Sequence, residues 1–100
     1  MHPYTILKSE LTETLGTIWN ISDEELRPDV FGSCYCIFSG AGNTIRLIWD
    51  GKDGYGYAQK FIEKEWLDIP IYLNELDVEG KPRNTQKIGK FLEAVSNAYK

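Results

Sequence analysis

Residues 31–62 contain three consecutive runs, FGSCYCIFS, TIRLIWD and YGYAQKFI, separated by GAGN and GKDG. Their bulky apolar residues alternate along the chain, a period that suits a strand and not a helix, whose buried stripe recurs at spacings of three and four. The separators are glycine, asparagine and aspartate, residues that tolerate the dihedrals of tight turns. The pattern predicts strands over 31–39, 44–50 and 55–62, joined by hairpins and therefore antiparallel.

The register can be derived as well. A turn centred on Ala41–Gly42 pairs Phe38 with Ile45, Cys36 with Leu47 and Cys34 with Trp49, all on one face. A turn centred on Lys52–Asp53 then sets Gly56 against Trp49 and Ala58 against Leu47. Large residues meet small ones, as a filled core requires. Shifting the second turn to Asp53–Gly54 moves the register by two and leaves the faces unchanged.

Helices are expected before and after these strands in the chain. In residues 3–20, Leu7, Leu11, Leu15, Ile18 and Trp19 recur at helical spacing, and Pro3 suits a first helical turn. Ser22 and Glu25 have the spacing of a capping box, so a short turn of helix is expected there, stopped before Pro28. Residues 65–75 read as a fourth strand that Pro70 confines to an edge or a break, and 76–84 as a loop. The last helix, 85–99, carries a stripe of Ile88, Phe91, Leu92, Val95, Ala98 and Tyr99 with Asn84 as its N-cap. At 100 residues a single domain, 1–100, is expected. The expected fold is α+β: an antiparallel meander of three to four strands with both terminal helices on one face, α-β-β-β-(β)-α.

The face turned away from the helices is less usual. It carries Tyr35, Ile37, Arg46, Ile48, Asp50, Tyr55, Tyr57 and Gln59 where a solvated face would favour Lys, Glu and Thr. Tyr35, Ile48 and Tyr57 form one row, Ile37, Arg46 and Gln59 the next, and Asp50 faces Tyr55. Tyrosines pair well across exposed strands, and residues 63–80 could fold over them, so packing alone is one reading. The competing reading is a surface for a protein partner, since Tyr and Arg are enriched among residues that dominate binding. The candidate contacts are Tyr35, Arg46, Ile48, Asp50, Tyr55, Tyr57 and Gln59; a homodimer through this face is a special case.

Several chemistries find no support. The only histidine is His2, so a Ser-His or Cys-His device lacks its base. Cys34 and Cys36 share a strand face and read as buried free thiols; two thiolates are not a four-ligand metal site. In WDGKDGYGY a calcium loop beginning at Asp50 would have Lys52 and Gly54 at its third and fifth positions. No glycine-rich motif opens a helix, and no catalytic residue, metal or cofactor is expected. The alternative to a binding surface is a small-ligand or enzymatic site between this face and residues 63–80, built on Asp50, Tyr57 and Trp66.

Net charge is −4, against nucleic acid and anionic membranes as general partners. The charge is uneven: residues 1–80 hold 14 acids and 6 bases, residues 81–100 hold 5 bases and 1 acid. No apolar run reaches the roughly 20 residues of a membrane span, and the N-terminus lacks a signal peptide's basic start and apolar stretch, so a cytoplasmic protein is expected. In size and acidity the chain resembles small acidic inhibitors, among them bacterial immunity proteins that neutralise toxins. The likeness involves no motif and carries no site residue; it implies a non-enzymatic protein that acts by binding another.

Overall fold

The computed structural model describes residues 3–27, 29, 32–40, 42–74, 78 and 85–98. The elements are α1 (Pro3–Leu15), β1 (Asn20–Arg27), β2 (Ser33–Gly40), β3 (Asn43–Asp50), β4 (Tyr55–Ile62), β5 (Glu65–Asn74) and α2 (Thr85–Asn97). The strands form one antiparallel sheet in chain order, β1-β2-β3-β4-β5. The fold is α+β as the alternation predicts, with five strands where three to four are expected.

The central register matches the derived one. Cys34, Cys36 and Phe38 pair with Trp49, Leu47 and Ile45, and Gly56 and Ala58 pair with Trp49 and Leu47. Onto this face pack Tyr4, Leu7, Leu11 and Leu15 of α1 and Ile88, Phe91 and Val95 of α2, making one continuous core. A Cβ on Gly56 would lie 2.9 Å from the Trp49 ring and 2.8 Å from Leu7 Cδ1, so the absent side chain is the space those residues occupy.

The N-terminal helix is shorter than its periodicity suggests. It ends at Leu15 because Gly16 turns left-handed (φ 84°) and donates its amide to Thr12 O at 3.2 Å. Ile18 is therefore 67% exposed, whereas Trp19 still reaches the core. The expected helical turn at Ser22–Glu25 is part of strand β1. Pairing with β2 outweighs the local capping signal: the Ser22 hydroxyl bonds Ser39 Oγ (3.0 Å) instead of a helical amide.

The fourth expected strand is β5, at the sheet edge. Tyr57 pairs with Tyr72 but Gln59 with Asp68, so Ala58 faces three residues, 69–71. Pro70 sits in that irregularity, where its missing N–H costs no ladder bond. Glu63 and Lys64 close the β4–β5 hairpin with φ of 52° and 68°, dihedrals that usually select glycine or asparagine. Val78, in the segment read as a loop, is fully buried. The expected roles of Asn84 and Tyr99, and the rest of the loop, lie outside the described residues, as do His2, Pro28 and Phe31. Among the described residues no helix is long and apolar enough to cross a membrane.

Candidate functional site

The outer face of the sheet is built by parity. With Cys36, Leu47 and Ala58 turned to the core, their neighbours in each strand turn outward. One row crosses all five strands: Glu25, Tyr35, Ile48, Tyr57 and Tyr72. The next is Asp23, Ile37, Arg46, Gln59 and Asp68. Asp50 faces Tyr55. All seven sequence-derived candidates therefore share this face, in the rows expected.

Residues 65–74 do not fold over this face. They extend it as β5, adding Trp66, Asp68 and Tyr72 in the plane of the sheet. Tyr72, 51% exposed, completes a cluster with Tyr55 and Tyr57 in which ring centroids lie 5.5–5.8 Å apart. Trp66 packs on Phe61 at 5.0 Å and under the Arg46 guanidinium at 4.2 Å. Trp66 thus serves Arg46 and not a pocket with Asp50 and Tyr57.

Arg46 is fixed from several sides. Its Nε and Nη2 donate to Gln59 Oε1 at 3.0 and 2.6 Å, and Tyr35 lies 5.9 Å from the guanidinium carbon. Gln59 Nε2 in turn donates to Asp68 Oδ1 at 2.7 Å, and Tyr72 OH to Asp68 Oδ2 at 3.3 Å. The amide thus spaces the guanidinium from the carboxylate and orients both. Burial, then the neighbouring Tyr55 and Asp68, push the Tyr57 phenol up. Burial and Asp68 push Tyr72 up, and a hydrogen bond to Glu25 leads the causes that raise Tyr35. These phenols are protonated near neutrality and present hydroxyl donors beside apolar rings.

Beside this network lies an open groove of about 600 Å³, lined by Tyr35, Ile48 and Tyr57, with Arg46, Lys52 and Asp50 among its polar residues. Asp50 is committed to the β3–β4 loop: its Oδ1 accepts the amides of Lys52 (3.0 Å) and Asp53 (3.1 Å). That geometry accounts for WDGKDG as a turn motif. A second cavity, about 400 Å³, lies between α1 and β1 and includes Tyr4, Lys8, Glu24 and Cys34. There Glu24 Oε2 accepts from Tyr4 OH (2.5 Å) and pairs with Lys8 Nζ (2.6 Å). Both cysteines are free; Cys36 is buried and Cys34 half-buried, its thiol donating to Gly32 O at 3.2 Å.

The alternation of Trp66, Asp68 and Tyr72 could have placed them on this face, since the two-residue irregularity at Pro70 preserves parity. Glu25 was concealed by the capping-box pattern. Comparison of the chain with protein-family models, with curated proteins and with solved structures gave no match.

Proposed function

We propose that this chain is a non-enzymatic, cytoplasmic protein-binding module whose outer sheet face docks a protein partner, as an inhibitor of the immunity type would. The observation that carries this reading is the uncovered aromatic face. Among the described residues both helices pack on the opposite side, and β5 widens the face instead of roofing it. Tyrosines 35, 57 and 72 with Arg46 supply apolar area, hydroxyl donors and an oriented cation together, the composition found where binding energy concentrates. The rings are braced by one another and by hydrogen bonds, so little side-chain freedom is lost on docking. The groove is open and its aspartate is occupied by a turn, which favours a macromolecular contact over an enclosed site for a reaction.

The test is capture of a partner on the immobilised protein, followed by affinity measurement with Tyr57→Ala and Tyr35→Ala. Truncating a central tyrosine should weaken binding by about 1–3 kcal/mol. If both variants bind the partner as tightly as the wild type, this face is not the contact. Light scattering of the wild type and Arg46→Glu tests the homodimer form of the same idea.

A further inference from the structure

Resting on the proposed docking role of this face, we infer that its groove is a receptor for a carboxylate: an aspartate or glutamate side chain of a partner protein, next to an aliphatic or aromatic residue. The chain's net charge of −4 suggests the opposite preference, but the residues that line the groove carry one net positive charge.

Four charged residues other than Arg46 line the groove: Glu25, Arg27, Asp50 and Lys52. Glu25 and Arg27 neutralise each other, with Arg27 Nη2 and Nε at 2.8 and 2.9 Å from Glu25 Oε1. Asp50 spends an oxygen on two loop amides. Arg46 and Lys52 form no ion pair among the described residues. Asp50 likewise forms no ion pair among the described residues, so the groove lining holds three cations (Arg27, Arg46, Lys52) against two carboxylates (Glu25, Asp50), one net positive charge.

Arg46 is also prepared for a carboxylate. Both of its contacts with Gln59 end on a single oxygen, Oε1, leaving Nη1 and the second Nη2 hydrogen to a ligand. Trp66 beneath and Tyr35 beside it hold the guanidinium plane. A guanidinium so held can present parallel donors to a carboxylate, and little rotamer freedom remains to be lost. Ile48, Tyr35 and Tyr57 supply the apolar contact for the neighbouring residue of the ligand. The acidic remainder of the chain weakens approach only modestly, because at physiological salt charges more than about 8 Å apart are largely screened.

The test is selection of short random peptides displayed on phage against the whole immobilised protein, with affinities of the selected sequences measured as synthetic peptides by fluorescence anisotropy. The expected peptides carry Asp or Glu beside Leu, Ile or an aromatic residue. Arg46→Gln should weaken them at least about tenfold, the scale of one charge-assisted hydrogen bond. Replacing the peptide's acid by its amide should cost the same, and the two changes together no more than either. Lys52→Gln, on an exposed turn, supplies a variant free of folding questions, and should weaken binding about threefold at low salt. Basic or neutral peptides, or acidic ones indifferent to Arg46→Gln and Lys52→Gln, overturn the carboxylate assignment and leave the protein-docking reading standing. Selection of no peptide at all, or tighter binding of an oligothymidylate than of any peptide, overturns the assignment as well. Loss of the docking reading itself is registered separately, by the two tyrosine variants against a captured partner.

Discussion

Three glycines with ordinary backbone dihedrals make a strong test of the packing, because the same substitution should change sign among them. A Cβ on Gly40 would stand 2.6 Å from Ile18 O and 2.9 Å from Trp19 Cα, both backbone atoms of the segment entering β1. Backbone cannot rotate aside, so Gly40→Ala must displace that segment and the buried Trp19 ring with it. Overpacking of this kind costs about 1–3 kcal/mol, and Gly40→Ala belongs at the upper end. Gly56→Ala meets the Trp49 ring and the movable tip of Leu7; it should cost about 1–2 kcal/mol, since part of the clash can relax. Gly89, exposed within α2, would meet nothing within 4 Å. There alanine should stabilise by about 0.5–1 kcal/mol through helix propensity. Urea unfolding followed by tryptophan fluorescence measures all three, and each kcal/mol should move Tm by roughly 4–8 °C in a domain of this size. A neutral Gly40→Ala would refute the close approach of the Trp19 segment to β2. A destabilising Gly89→Ala would refute the exposed placement of that position on α2.

Other outcomes follow from single features. Replacing Glu63–Lys64 by Asn-Gly should stabilise the protein by about 1–2 kcal/mol in urea unfolding, because both residues hold left-handed dihedrals that cost roughly that much for side chains other than glycine or asparagine; no gain would mean another turn. The Lys8 hydrogen bond, then Tyr4, hold Glu24 below its ordinary value of 4.5. Its contribution is present above that pH and fades as pH falls through the lowered native value, so the acid loss of urea midpoint should be smaller in Glu24→Gln. Burial pushes Cys36 up from 9.0 to about 11, so the neutral thiol is favoured in the fold. That contribution is complete below pH 9 and lost as pH rises toward 11. In a Cys34→Ser background, labelling of Cys36 by a disulfide reagent at pH 8 should be at least about a hundredfold slower in the native protein than in urea; similar rates would contradict its burial.

Much of the candidate face is legible in the alternation of residues alone. Once Cys36, Leu47 and Ala58 are assigned inward, alternation sends Tyr35, Arg46, Ile48 and Tyr57 outward with no further information. The glycine-rich turns narrow which residues stand opposite to two registers for β3–β4, and the structure adopts the one that sets Trp49 against Gly56. What was not legible was which competing local signal would lose. Ser22 to Glu25 satisfies a helix cap by spacing, yet β2 offers a row of backbone partners that a short helical turn ended by Pro28 cannot match.

The sequence by itself therefore determined the class of the fold, the β2–β3 register, a choice of two registers for β3–β4, and the identity of the outward tyrosines. These follow from a period of two and from turn chemistry, both properties of neighbours along the chain. The tertiary structure alone decided that β1 is a strand, that β5 widens the aromatic face, and that Arg46 rests on Trp66 with Gln59 holding it. Those contacts join residues separated by hairpins and a bulge. Their charge balance depends on which side chains the strands bring together: the composition is acidic, while the groove lining holds three cations against two carboxylates.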